Sequence, residues 1–234
     1  MSQIKVTYID HMGSDLSVVN AARVSFGKES LWNWSKELDS NTGDGRTLRE
    51  RDTKLIKYLA KHKHMSPFGH AFASFHVKAP IFVARQLVKH KFLRWNEISR
   101  RYVDDDPEFY IPDQWRGRAS DKKQGSAGIV DIDKYWTGNF SDDGWTPMPS
   151  LAYEDALSCY RGLLDAGVCP EQARMVLPQS TMTEWYWSGS LDAFSDMCKL
   201  RCKEDTQLET RIVANTISEE MNYLFPISWE SLQK

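Results

Sequence analysis

The chain has 234 residues, and its 30 basic and 32 acidic side chains give a formal net charge of −2. A chain of this length can bury a sizeable core, and the near-balance of charge argues against nucleic acid as a partner. No stretch has the length and apolar character of a membrane span, and the first residues lack the apolar segment of a secretory signal. We therefore expect one cytoplasmic domain covering residues 1–234, with no nucleic-acid and no membrane partner.

Hydrophobic periodicity divides the chain into helices and a few strands. Alternating apolar and polar residues predict strands, and apolar residues three or four apart predict helices. In chain order the pattern predicts a strand at 4–9, helices at 16–24 and 47–62, a strand at 71–77, a buried helix from 81, helices at 150–164 and 170–176, a strand at 181–187, and helices at 191–201 and 208–224. This order predicts a helix-dominated α+β fold with one compact core.

Several helix starts carry recognisable capping sequences. The Thr-x-x-Glu sequences at 47–50 and 206–209 have the spacing of a capping box, in which the two side chains bond each other's backbone N–H groups. Ser14 or Asp15, and Ser150, are the expected caps of two other helices. We therefore expect helices to begin at each of these places.

Residues 103–150 show little periodicity. Polar runs containing Pro, Gly and Ser interrupt this stretch repeatedly, and a structureless segment of this length is usually a functional loop or an insertion. The aromatic residues Tyr110, Trp115, Tyr135 and Trp136 suggest that parts of it pack onto the core.

Residues 89–102 form the most unusual segment of the chain. They contain six basic side chains, one carboxylate and three aromatic rings. Because unpaired charge is too costly to bury, the segment suits a surface that binds a flat anion, such as a nucleotide or a phosphorylated ring cofactor. A surface ion-pair network around Glu97 explains the composition about equally well. Ser99 has no neighbouring base, so its hydroxyl would be a poor nucleophile.

Two further clusters could bind anions. Residues 64–70 contain two histidines around Ser66 and Pro67, which favours a turn over a metal site because no carboxylate or thiol stands at ligand spacing. Alternatively, the Ser66 hydroxyl and backbone donors hold a phosphate at this helix break. Arg174 and Arg201 each lie in an apolar stretch, where an arginine either pairs with a structural carboxylate or faces a ligand anion. No metal is expected.

Together these clusters resemble the flavin-dependent thymidylate synthases. The family motif reads Arg-His-Arg, a short spacer, and then Asn-Glu-x-Ser-x-Arg-Tyr. Residues 96–102 match its second half in full, and Lys89-His90-Lys91 stands in place of its first half. Residues 66–68, 76–86 and 173–178 also look like the family.

The resemblance implies an enzyme that methylates dUMP to dTMP. Methylenetetrahydrofolate would supply the carbon, reduced FAD the hydride, and NADPH would regenerate the flavin. It also implies a helix-rich single domain with a small antiparallel sheet, assembled as a homotetramer whose active sites are shared between subunits.

Site residues follow from the resemblance position by position. FAD would contact His64, Ser66, Lys89, His90, Lys91 and Glu97. The nucleotide dUMP would contact Gln86, Lys89, Glu97, Ile98, Ser99, Arg100, Arg101 and Arg174. Arg201 matches the arginine that polarises the uracil ring at N3, where a fixed cation stabilises developing negative charge. Ser99 would then position dUMP, with the hydride reaching the ring directly.

The flavin half of the resemblance carries departures from the family. Lysine at 89 and 91 keeps the charge but loses the bidentate geometry of arginine. Ser190-Leu191-Asp192 and Asp196 stand where the family has Asn-x-Arg and a second Asn, and a carboxylate near flavin phosphates would repel them. We therefore expect the adenosine end of FAD to be held differently here. Two alternatives follow: a pyrimidine-nucleotide hydroxymethylase, and a non-catalytic nucleotide-binding relative.

Overall fold

A computed structural model describes residues 3–34, 45–120, 125–132, 139–141, 144–146 and 148–234. The strands are β1 Lys5–Met12, β2 Asn33–Trp34, β3 Arg46–Thr47, β4 Phe72–Pro80, β5 Leu93–Glu97, β6 Arg116–Arg118, β7 Ser126–Ile129, β8 Asn139–Ser141, β9 Gly144–Thr146 and β10 Met182–Ser190. The helices are α1 Asp15–Arg23, α2 Glu50–Lys61, α3 Ile81–Leu87, α4 Met148–Asp165, α5 Pro170–Ala173, α6 Leu191–Arg201, α7 Leu208–Leu224 and α8 Pro226–Gln233. Short 3₁₀ turns cover Val24–Phe26, Ser66–His70 and Arg174–Val176.

Four strands form the central antiparallel sheet in the order β1-β4-β10-β5. Along β4 the side chains of Phe75 and Val77 are fully buried, whereas Ser74, His76 and Lys78 between and beside them keep some exposure. This alternation is the expected pattern for a sheet with one face packed on a core. The α+β fold with a small antiparallel sheet is therefore confirmed.

Aromatic rings fill the space between the sheet and the helices. Trp95 on β5 stacks on Trp185 of β10, with ring centroids 4.3 Å apart, and Trp187 meets Phe194 of α6 edge to face at 5.6 Å. Such ring pairs add to the stabilisation that comes from burying their area. They fix α6 against the sheet, which matters because α6 ends at Arg201.

Gly189 sets where β5 can begin. It lies opposite Leu93 across the β10–β5 ladder, and a Cβ on Gly189 would stand 2.3 Å from the Leu93 side chain. A larger residue at this position would therefore require the Leu93 side chain to move and would crowd the Phe92 carbonyl, 3.3 Å from the same Cβ.

Three capping predictions are wrong. Ser150 lies inside α4, which begins at Met148, and at the other two sites the threonine hydroxyl is used elsewhere. Thr47 lies in β3 and its hydroxyl donates to the Asn33 carbonyl, so α2 begins later, after Arg49. The Thr206 hydroxyl donates to the Leu200 carbonyl, so it does not cap α7.

The structure adds elements that the periodicity missed. β5 lies inside the basic segment, and α8 follows α7 almost without a break, starting at Pro226. The 103–150 region contains the short strand pairs β6–β7 and β8–β9; Tyr135 and Trp136 lie outside the described residues. Within the described part of the chain, no helix is both long and apolar enough to cross a bilayer.

Candidate active site

A cavity of about 960 Å³ brings together three of the predicted site residues: Gln86, Lys89 and Arg201. Gln86 stands near the end of α3, Lys89 follows that helix, and Arg201 is the last residue of α6. The buried body of each helix fixes the polar group at its end, which is how a rigid scaffold holds a binding site.

Arg201 is held by two acceptors on the α3 side of the cavity. Its Nε–H donates to Nε2 of His90 at 3.0 Å, and Nη2 donates to the Gln86 carbonyl at 3.3 Å. Because a guanidinium group can only donate, Nε2 of His90 must be unprotonated. Burial, and then the charge of Arg201, lower the pKa of His90 to about 4. His90 is therefore neutral near pH 7 and orients a cation.

The side chain of Gln86 is fixed by a second glutamine. Its Nε2 donates to Oε1 of Gln207 at 2.5 Å, and both residues line the cavity. Gln207 immediately precedes α7. Nothing in its sequence neighbourhood distinguishes it, because its partner lies 121 residues away. With the side-chain N–H group engaged in this way, the side-chain oxygen Oε1 of Gln86 is left to accept a hydrogen bond from a ligand.

The outer wall of the cavity comes from the 103–150 region. Arg116 donates to both oxygens of Glu209, at 2.7 and 2.8 Å, and the Glu209 side chain is only 4% exposed. Tyr110 reaches the same carboxylate, and burial followed by the negative charge of Glu209 raises the pKa of Tyr110 to about 12. Trp115 completes this wall. These contacts tie the predicted functional loop to α7.

Glu97, which was predicted to contact both FAD and dUMP, lies at the end of the edge strand β5 and does not line this cavity. One carboxylate oxygen accepts the Thr183 hydroxyl at 2.6 Å, and the other accepts the Trp95 indole N–H at 3.0 Å. These two donors orient an otherwise exposed carboxylate along the sheet edge. Ile98, next in the chain, continues the pairing through its N–H to the Glu184 carbonyl.

The following residues bond within their own segment. Arg101 donates from Nε to the Ser99 hydroxyl at 3.2 Å, and Arg100 donates to the Asp105 carbonyl at 2.8 Å. Because a guanidinium cannot take a proton from Ser99, this contact does not activate the hydroxyl as a nucleophile.

The remaining predicted residues lie in three other places. His64 stacks on Tyr58, with ring centroids 6.0 Å apart, and Ser66 opens the 3₁₀ turn that follows. Lys91 is exposed in the turn after α3. Arg174 donates to the Glu171 carbonyl at 3.2 Å and does not line the cavity. One chain therefore places the predicted residues in separate groups. Among the described residues there is no cluster of three or more metal-binding side chains.

Comparison with known proteins identifies similar chains. The family model described as thymidylate synthase complementing protein matches residues 7–227. The chain is 37% identical to a flavin-dependent thymidylate synthase of Thermus thermophilus over 98% of its own length and 75% of that protein. It is 35% identical to one of Kosmotoga olearia, covering 97% of this chain and 88% of the relative.

A solved structure gives the same likeness in three dimensions. The UMP/dUMP methylase PolB from Streptomyces cacaoi, bound with 5-Br dUMP, superposes with a TM-score of 0.76 at 30% sequence identity. The match covers 98% of this chain and 94% of the PolB chain. A second PolB structure, bound with 5-Br UMP, gives a TM-score of 0.77.

Proposed function

Because this chain belongs to the flavin-dependent thymidylate synthase family, we propose that it converts dUMP to dTMP. Methylenetetrahydrofolate provides the carbon, FAD provides the redox chemistry as a hydride donor when bound and reduced, and NADPH regenerates the reduced flavin. The chain's own residues bind and orient these molecules and supply the charge that the reaction needs.

The observation that carries the proposal is the fixed cation at the cavity. Arg201 is held by His90 and by the Gln86 backbone, and Lys89 shares the cavity with it. A uracil ring placed against Arg201 meets a guanidinium that needs no reorientation as negative charge develops at N3. Lys89 supplies a point charge for the nucleotide phosphate, and the Gln86 amide accepts or donates at the ring edge.

The residues predicted to contact FAD fit its chemistry. Lys89 and Lys91 present exposed ammonium groups on the turn after α3, which suits the negative charge that the flavin ring carries when reduced. His64 and Tyr58 form a stacked pair beside Ser66, which suits a planar ring. Neutral His90 and the oriented carboxylate of Glu97 offer hydrogen-bonding groups.

The homotetramer is carried over from the family resemblance, and the separation of the predicted residues supports sites that are shared between subunits. The segment Glu97–Arg101 lies at the free edge of the sheet, while Gln86 and Arg201 line a cavity that this segment does not enter. A second copy of the chain can bring its edge segment, and its Arg174, to the open side of the cavity. The complete dUMP site then needs two subunits.

UMP is the second candidate substrate. The motivation is the structural likeness to PolB, which is described as a UMP/dUMP methylase. Reaction with UMP would require the site to accept the ribose 2′-hydroxyl as well. The hydroxymethylase and the non-catalytic relative remain alternatives, which the product and the flavin content of the protein distinguish.

The test is release of tritium from [5-³H]dUMP and [5-³H]UMP by purified protein with methylenetetrahydrofolate, FAD and NADPH. We expect release from dUMP, with dTMP identified by mass spectrometry, and strong loss of release in Arg201→Lys, which keeps the charge but not the guanidinium geometry. A hydroxymethyl product supports the first alternative. Absence of release by flavin-loaded protein, or failure to bind flavin at all, contradicts the proposal.

A further inference from the structure

A second cavity, separate from the one at Arg201, is lined largely by lysine. Its volume is about 890 Å³, and it lies between α2, α6 and the C-terminal end of α8. Five lysines line it: Lys57, Lys61, Lys63, Lys199 and Lys234. Asp196 is the only carboxylate among the lining residues. We call this cavity the lysine groove.

Three of these cations have no partner in the described part of the chain. Lys234 bonds Glu230, and Lys234 and, more weakly, Lys57 lower the pKa of that carboxyl group. The side chains of Lys61, Lys63 and Lys199 make no hydrogen bond or ion pair with the described residues. Lys57 and Lys61 stand four apart on α2, where like charges destabilise a helix. An anion in the groove would relieve this repulsion.

The groove adjoins both flavin segments of the sequence. Met65 lines it, between His64 and Ser66, and Asp196 lines it from the position where the family has the second Asn of its flavin segment. Arg201 follows Asp196 by five residues on α6, about 8 Å further along the helix axis. A molecule with the length of FAD can therefore extend from the Arg201 region towards the groove.

The Asp192 carboxylate, which the sequence suggested would repel FAD, is engaged locally. The Ser190 hydroxyl donates to it at 2.5 Å at the start of α6. Asp196 adds one carboxylate to the groove, but five lysines line it. The field in the groove therefore favours an anion.

We propose that the lysine groove binds the diphosphate of the adenosine half of FAD, in place of the family's Asn-x-Arg segment. This inference rests on the flavin dependence of the proposed function. Lysines act as flexible point charges and suit a diphosphate without fixed bidentate geometry. FAD recognition in this chain should consequently be strongly dependent on salt.

The test compares ligands that contain different parts of FAD. Binding of FAD, ADP, FMN and riboflavin is measured by fluorescence and calorimetry for the wild-type protein, Lys61→Gln/Lys199→Gln, and the control Lys5→Gln/Lys28→Gln, which removes two exposed cations elsewhere. We expect the groove variant to weaken FAD and ADP by at least about tenfold, to weaken FMN, which carries one of the two phosphates, by a smaller factor, and to leave riboflavin binding unchanged. The control should match the wild type. Asp196→Asn should tighten FAD.

The remaining outcomes separate the two proposals. Equal FAD affinity in the groove variant and the control overturns the groove assignment and leaves flavin dependence intact. ADP that binds the wild type without competing with FAD means that the groove serves a separate nucleotide, which also overturns it. A wild-type protein that binds neither FAD nor FMN refutes the proposed function, and the groove assignment with it.

Discussion

The imidazole of His90 accepts a hydrogen bond from the guanidinium of Arg201, although the two residues are 111 positions apart in the sequence. The contact joins the basic turn after α3 to the end of α6. It requires a neutral histidine beside a permanent cation, which makes the arrangement sensitive to pH.

The pH dependence of stability follows from the depressed pKa of His90. A free histidine has a pKa near 6.5, whereas burial and Arg201 lower the pKa of His90 to about 4 in the folded protein. Between these values the unfolded chain takes up a proton that the folded chain does not. The free energy of unfolding should therefore fall as the pH is lowered from 6.5 to 4.

His90→Gln keeps an acceptor for Arg201 and removes the titration. We expect its stability, measured by urea unfolding at a series of pH values, to decline less steeply over this interval than that of the wild type. Equal slopes for the two proteins would mean that His90 is not the source of the pH dependence.

Gln207 should act as a positioning residue for Gln86. In Gln207→Leu the Gln86 amide loses its partner and can rotate. Gln86 and Gln207 both line the cavity, so a Gln86 side chain that is no longer held should bind the nucleotide less well. We expect KM for dUMP to rise by about fivefold to tenfold, with a smaller change in kcat.

Gln207→Glu offers the matched control, since its carboxylate still accepts from the Gln86 amide, and it should keep KM close to the wild-type value. If both variants have the wild-type KM, Gln207 has no role in positioning the nucleotide. Thermal unfolding of each variant separates this effect from a general loss of stability.

The fold was predictable from the sequence where the structure of a segment depends mainly on its own residues. The limits of α6, Leu191 and Arg201, match the prediction, because a continuous helical pattern lies between Ser190 and Cys202. β5 was missed because Arg94 and the basic residues on either side of the strand obscured an ordinary alternation, in which Leu93 and Trp95 pack against the core. The capping sequences at Thr47 and Thr206 predicted the wrong caps, because each threonine hydroxyl donates to a carbonyl in another element instead of capping the helix.

The sequence predicted candidate site residues but not how they are arranged in space. Matching motifs identified Gln86, Lys89 and Arg201, which the structure brings to one cavity. The partners Gln207 and Glu209 could not be derived, since each contact joins residues about a hundred positions apart and no local spacing encodes it.

The wall of the cavity should depend on the Arg116–Glu209 pair. Arg116→Ala leaves a buried carboxylate without its charged donor, and we expect it to lower the free energy of unfolding by about 1.5–3 kcal/mol. Arg161→Ala removes an arginine from an exposed pair with Asp106, and its stability should be indistinguishable from that of the wild type. Denaturant titration of both variants tests this difference, and an equal effect would contradict it.

Phe92 stores backbone strain beside the basic turn. Its φ angle of 65° lies in the left-handed region, and its side chain is 86% exposed, so the ring gains little from packing within the subunit. Relief of this strain in Phe92→Gly should raise the free energy of unfolding by up to about 1 kcal/mol, because glycine adopts this conformation without a steric penalty. Phe26→Gly is the comparison: that ring is 78% exposed, but the residue does not have a positive φ, so the change should destabilise the protein. Urea unfolding at pH 7 gives both values, and a loss of stability in Phe92→Gly would show that the ring packs against a second subunit in the assembled protein.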